Sequence, residues 1–174
     1  KIRNITKIVS GNNLFSKKKV IKIYRKIIKK VILANSIKSA ELAKLVENAQ
    51  RDINISFMNE IYKICDVYKL DYTHVLSLCR TKWNFVDFKP GLVGGHCVPV
   101  DPYYLIEDLK KKKYSSNLIH LARENNEDFV KYILKKLNRK IKPFKNKKIL
   151  FCGINFKNNV NDKRNSKYFL IYKF

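Results

Sequence analysis

The stretch Ser39-Ala40-Glu41-Leu42-Ala43-Lys44-Leu45-Val46-Glu47-Asn48-Ala49-Gln50-Arg51-Asp52-Ile53-Asn54-Ile55 opens a run that continues to Ile64 without a glycine or proline. Leu42, Leu45, Val46, Ala49, Ile53, Phe57, Ile61 and Ile64 recur at helical spacing, which predicts one long helix with a single apolar stripe. Ser39 is placed to cap it, and Glu41 to lie in its electropositive first turn. In a chain of 174 residues a helix of this length spans between domains or supports a dimer interface.

Shorter elements flank it. Upstream, Ile5 to Ser10 is a β-prone run closed by Gly11-Asn12-Asn13. Leu14 to Lys30 follows with helical spacing, and Val31 to Ala34 reads as a brief buried strand. Together they look like the tail of an α/β unit. Downstream, helices are predicted over 72–81, 103–113 and 117–140. Pro143 then breaks the chain among lysines, and Lys148 to Gly153 reads as the first buried strand of another α/β domain. The fold class expected is mostly α, a central helical dimerisation domain between partial Rossmann-like α/β pieces. Lys1 falls in what reads as mid-domain, so the sequence is read as a fragment.

The net charge of +24 raises nucleic acid or an anionic membrane surface as partners. The excess is lysine, 31 against 7 arginines, whereas base and phosphate readers favour the arginine fork. Lys17-Lys18-Lys19 and Lys110 to Lys113 read best as solvated helix ends. No apolar run is long enough for a membrane span and no signal peptide is evident, so a reduced, cytoplasmic setting fits.

The chemistry concentrates between Pro90 and Pro102, which hold three of the five glycines and three of the four prolines around Cys97. Glycine frees a backbone and proline fixes it, so this segment reads as a rigid loop presenting a thiol. Cys65, Cys79 and Cys152 read instead as small core residues. A zinc site from His74, Cys79, His96, Cys97 and His120 is disfavoured, because no CxxC or HxxxH pair supports it. On the long helix, Lys44, Asn48 and Arg51 fall at i, i+4 and i+7, one face able to bind a sugar and its phosphate. From periodicity alone a solvated face, with Glu41, Glu47 and Asp52 as charge partners, is the preferred reading of the same residues. Asp101 follows Cys97 on the loop, and Lys44 is a candidate to activate the thiol if the fold brings them together.

Three motifs together resemble the UDP-glucose/GDP-mannose dehydrogenase family. The run from Ser36 to Ile55 is similar to its central-helix signature. Thr81-Lys82-Trp83-Asn84-Phe85, Pro90 to Cys97 and Val100 to Leu105 resemble its nucleophile loop, nearest to the branch that oxidises UDP-N-acetylhexosamines for surface polysaccharides. Asn155-Phe156-Lys157 with Asp162-Lys163-Arg164-Asn165-Ser166 is similar to the opening of its UDP-binding domain. The resemblance implies residues 1–35 as the end of an NAD-binding domain, 36–141 as the central domain and 142–174 as the start of the UDP-binding domain. It implies oxidation of a sugar C6 alcohol to a carboxylate with NAD as cofactor and a UDP-sugar as substrate. Cys97 would be the nucleophile, Lys44 the catalytic lysine, Asn48 the holder of sugar and oxyanion, and Asp101 a water-activating group. Arg51, Gly95, Phe156 and Lys157 match substrate-contacting positions, and a homodimer through the long helix is implied.

The sequence also departs from that pattern. It contains no G-x-G-x-x-G, so its cofactor-binding residues are not identified, and Asn158 stands where the family usually shows glutamate. Glu124-Asn125 departs from the arginine-rich run expected after Arg123. Two other readings follow: a catalytically inactive remnant of such an enzyme, and a basic nucleic-acid-binding helical protein.

Overall fold

The computed structural model describes residues 2–143, 147–157 and 159–173. They divide into two compact units, residues 1–47 and 48–174. Six α-helices and two three-residue strands occur among the described residues, the mostly helical composition expected.

In the first unit a 3-10 turn, Ile2–Asn4, precedes strand β1, Lys7–Val9. Helix α1, Leu14–Arg25, is capped by Asn13, whose Oδ1 accepts from the Ser16 N–H at 2.8 Å. Strand β2, Val31–Leu33, returns parallel to β1 with Lys7 opposite Val31 and Val9 opposite Leu33. The upstream elements therefore form a small βαβ unit. The expectation that the second strand is buried is corrected, since Ile32 and Leu33 are both exposed. Parallel strands are buried when helices cover both faces, and here α1 packs on the pair while Ile8 and Ile32 stay open. Lys17, Lys18 and Lys19 lie in the first half of α1 and not at a helix end. Lys17 extends to the Asn35 carbonyl at 2.7 Å, which anchors the chain beyond β2.

The long helix α2 runs Ile37–Val67. Its cap is Ser36, whose Oγ accepts from the Ser39 N–H at 3.1 Å, so Ser39 is the third helical residue and Glu41 lies beyond the first turn. Both shifts have one cause: a serine three residues earlier reaches the same orphan donors.

The second unit adds α3, Tyr72–Cys79, α4, Asp101–Lys111, α5, Asn117–Ile141, and α6, Tyr168–Tyr172. Asp71 caps α3 through the Thr73 N–H, and Pro102 stands in the first turn of α4, where its missing N–H costs no hydrogen bond. Met58, Cys65, Leu76, Val93, Ile106, Ala122, Phe129 and Ile171 form the core. Tyr62 meets Phe129 edge-on at 6.0 Å, and Phe129 stacks on Tyr132 at 5.9 Å. Lys148 to Gly153 is not a strand: no described segment pairs with it, and Leu150 is 85% exposed. Extended backbone becomes a strand only through a hydrogen-bonded neighbour. Cys152 is exposed for the same reason, against its reading as a core residue.

The face that α2 buries is rotated from the one its pattern suggests and shares only its Ala49 edge. Asn48, Asp52, Ser56 and Asn59 are buried, whereas Phe57 and Ile64 of the apolar stripe are exposed. Asp52 is therefore not a partner on a solvated surface. Arg123 of α5, 1% exposed, explains it: its Nη1 lies 2.5 Å from Asp52 Oδ1. Asn126 adds bonds from its Nδ2 to Asp52 Oδ1 at 2.8 Å and to the Asp52 carbonyl at 3.0 Å. Buried polar groups persist when they are paired, and here Asp52, Arg123 and Asn126 pair with one another, although Asp52 Oδ2 and Arg123 Nε find no hydrogen-bond partner among the described residues.

Candidate active site

A cleft of about 490 Å³ in the second unit is lined by Arg51 and Ile55 of α2, the loop from Leu92 to Val98, and Phe156 with Lys157. Residues far apart in sequence thus meet around one volume. Arg51, Gly95, Cys97, Phe156 and Lys157, all singled out from the sequence, line it together.

Each is placed by a local device. The Cys97 carbonyl accepts from the N–H groups of Val100 at 3.1 Å and Asp101 at 2.8 Å, so the turn holding the thiol leads directly into α4. The Cys97 side of that turn is open to solvent. Gly95 adopts φ +86° and lies under the Phe156 ring; a Cβ there would meet Phe156 Cε2 at 2.8 Å. Gly94 is equally confined, by Phe156 Cβ at 2.8 Å and the Asn165 carbonyl at 3.0 Å. The two glycines therefore let the ring sit flush on the loop backbone.

Asn48 and Asp101 form a pair beside the cleft. Asn48 Nδ2 donates to Asp101 Oδ2 at 2.5 Å, and Arg51 Nη1 donates to Asn48 Oδ1 at 3.3 Å. Asn48 is fully buried, so its amide spans from the arginine lining the cleft to the carboxylate that opens α4. Lys44 belongs to the first unit, where its Nζ lies 3.2 Å from Glu47 Oε2, with both side chains more than half exposed.

An ionic chain runs from the buried Asp52–Arg123 pair to the half-buried Glu127 and Lys167. Arg123 reaches Asp52 with Nη1 and Glu127 Oε1 with Nη2 at 2.6 Å, and Lys167 Nζ reaches Glu127 Oε2 at 2.5 Å. The guanidinium also lies 5.5 Å from the Tyr103 ring centroid. Burial pushes the Asp52 carboxyl up to about 6, although the Arg123 charge and the Asn126 hydrogen bond pull it down. On the surface, Arg164 forks onto Asp162 from Nε and Nη2, holding that carboxyl at about 2. Among the described residues, no group of three or more His, Cys, Asp and Glu is gathered as a metal site.

Asn59 and Asn126 escaped the sequence reading, and Arg123 and Asn165 entered it only within family motifs and without a role, although all four hold the site. A signal existed for Asn59: Asn48, Asp52, Ser56 and Asn59 keep helical spacing, a polar stripe as regular as the apolar one. For Arg123 and Asn165 no local pattern marks the role.

A solvent-facing thiol on a glycine-proline loop, opposite an arginine and a lysine, defines a site suited to nucleophilic chemistry on an anionic ligand. Residues 38–128 match the model of the UDP-glucose/GDP-mannose dehydrogenase family, central domain, and the chain belongs to that family. Protein CapL of Staphylococcus aureus is 42% identical over 168 residues, covering 94% of this chain and 40% of the relative. The UDP-N-acetyl-D-glucosamine 6-dehydrogenase of Pseudomonas aeruginosa is 38% identical over 172 residues, 96% of this chain and 41% of the relative. Among solved structures, the UDP-D-ManNAc dehydrogenase from Pyrococcus horikoshii superposes with a TM-score of 0.83 at 29% identity, over 99% of this chain and 42% of that one. The chain thus spans about two fifths of the length of these proteins.

Proposed function

We propose that this chain carries the substrate cleft and nucleophile of an enzyme that oxidises the C6 alcohol of a UDP-N-acetylhexosamine to the uronic acid, for surface polysaccharide synthesis. The observation that carries it is the convergence of Cys97, Arg51, Gly95, Phe156 and Lys157 on one cleft. Relatives named as UDP-N-acetyl-D-glucosamine and UDP-N-acetyl-D-mannosamine dehydrogenases support the substrate class.

In this reading loss of a first hydride takes the C6 alcohol to the aldehyde, and the Cys97 thiolate adds to it to give a thiohemiacetal. Loss of a second hydride yields the thioester, and water releases the carboxylate and the thiol, two NAD being reduced per turn. Arg51 and Lys157 face the cleft as cations for the substrate's phosphates. Asp101, held by Asn48, assists the attacking water. Lys44 enters by its place in the family motif, as a cation for developing oxyanion charge. The family's NAD supplies the hydride acceptor. Gly11, Gly91, Gly94, Gly95 and Gly153 form no dinucleotide fingerprint, so the sequence does not identify the residues that would hold it. The exposed Phe57 and Ile64 of α2 make that helix the proposed homodimer face.

The test uses the native full-length protein with each UDP-N-acetylhexosamine epimer and NAD. Wild type forms NADH and uronic acid, and Cys97→Ala loses at least about a thousandfold in kcat, as nucleophile removal does elsewhere. Turnover by Cys97→Ala within tenfold of wild type would overturn the assignment.

A further inference from the structure

The nucleophile loop is an irregular segment whose backbone is almost without backbone partners. Among the described residues, no backbone–backbone hydrogen bond is made by residues 89–96, between the Phe88 N–H and the Cys97 carbonyl. Two asparagine side chains replace them. Asn59 of α2, 0% exposed, accepts the Gly91 N–H on Oδ1 at 2.8 Å and donates from Nδ2 to the Gly91 carbonyl at 3.1 Å. Its amide thus pairs with a peptide group as a neighbouring strand would. The same Nδ2 donates to Asn126 Oδ1 at 2.9 Å, which fixes the orientation of the amide from behind. Four residues along the loop, Asn165 donates from Nδ2 to the Gly95 carbonyl at 3.2 Å. Asn165 itself sits at φ +50°, a conformation asparagine tolerates better than most residues.

We infer that Asn59 and Asn165 are positioning residues that clamp the nucleophile loop at Gly91 and Gly95 and thereby set where the Cys97 thiol stands. The two anchors come from different segments of the chain. Asn59 belongs to the buried polar face of α2, whereas Asn165 belongs to the segment that also brings Phe156 and Lys157 to the cleft. The segment that lines the substrate side therefore also holds the thiol's backbone. Presentation of the nucleophile is tied to the seating of Phe156 and Asn165 on the loop. The catalytic half of this inference rests on Cys97 being the nucleophile proposed above; the clamp itself does not.

The experiment compares wild type with Asn165→Asp and Asn59→Ala in the native full-length protein. Asn165→Asp keeps the shape and the tolerance for positive φ but turns an oxygen toward the Gly95 carbonyl. Because Asn165 is exposed, that variant folds even if Asn59→Ala does not. Expected is at least about fivefold faster hydrogen exchange at the Gly91 amide in Asn59→Ala, what one ordinary hydrogen bond is worth, with the remaining readouts taken in Asn165→Asp. The melting temperature stays within about 2 °C, and kcat falls about fivefold or more with KM within twofold. Unchanged exchange at the Gly91 amide, or a kcat loss matched by loss of folded protein, overturns the clamp. If that exchange rises while wild type oxidises no UDP-sugar, the clamp stands and the reading of Cys97 as nucleophile fails.

Discussion

Replacing Arg123 by methionine removes the one guanidinium that meets Asp52, while keeping most of the volume that stacks on Tyr103. Asp52 and Arg123 are each 1% exposed or less, so the loss is not cushioned by water. Breaking a buried pair from one side costs about 3–5 kcal/mol, because the remaining charge has no counterpart. Against a total stability of about 5–15 kcal/mol, that moves the urea midpoint of the native protein by roughly 2 M. The pH dependence is the sharper signature. Asp52 titrates at about 6 in the folded chain against an ordinary 3.8, so the folded state holds this proton more tightly than the unfolded one. Its contribution is most favourable below about 4 and declines by roughly 3 kcal/mol as the pH climbs through 6. The stability of wild type minus that of Asp52→Asn should therefore fall between pH 4 and pH 7. Arg123→Met, which leaves the carboxyl without a cation, should be less damaging at pH 5 than at pH 7.5 by at least about 1 kcal/mol. Adding Asp52→Leu to Arg123→Met should recover most of the loss, since an apolar pair needs no counter-charge. A midpoint shift under 0.5 M, or a wild-type advantage over Asp52→Asn that rises with pH, would refute the reasoning.

Gly95→Ala should cost roughly 1–3 kcal/mol from its φ of +86° alone, with the Phe156 ring adding to it. Combining it with Phe156→Ala should relieve only the steric part, so thermal denaturation of the four proteins reads strain and clash separately. Phe57→Glu on the exposed face of α2 should leave the melting temperature within about 3 °C if the face is free, and shift a homodimer to monomer in sedimentation if it is the interface. Asp101→Asn removes the acceptor charge that Asn48 holds, and should lower kcat about tenfold or more while KM stays within a few-fold, read from initial rates of NADH formation.

The helices were legible because their periodicity is strong and their ends are punctuated. Asp71, Pro102 and Pro143 sit where α3 and α4 begin and just beyond where α5 ends. The identity of the buried face of α2 was not legible. Leu42, Val46, Phe57 and Ile64 look like a core stripe, but burial depends on what α5 presents. Arg123 and Asn126 carry complementary polar groups from more than sixty residues away, a match that no local pattern reveals. Lys148 to Gly153 failed as a strand for a related reason: β pattern describes a side chain's preference, and a ladder needs a neighbour. The cleft was legible by family motif at Cys97, Arg51 and Phe156, while the amides that hold its loop were invisible because their partners are backbone atoms.

A polar seam between two helices does something that a greasy one cannot. Were α5 to slide one turn along α2, about 5.4 Å, Met58 and Phe129 would still find hydrocarbon to touch. Asn59, Asn126, Asp52 and Arg123 would not find each other, and several desolvated groups would go unpaired. Oil supplies adhesion between these helices, and the amides supply their phase.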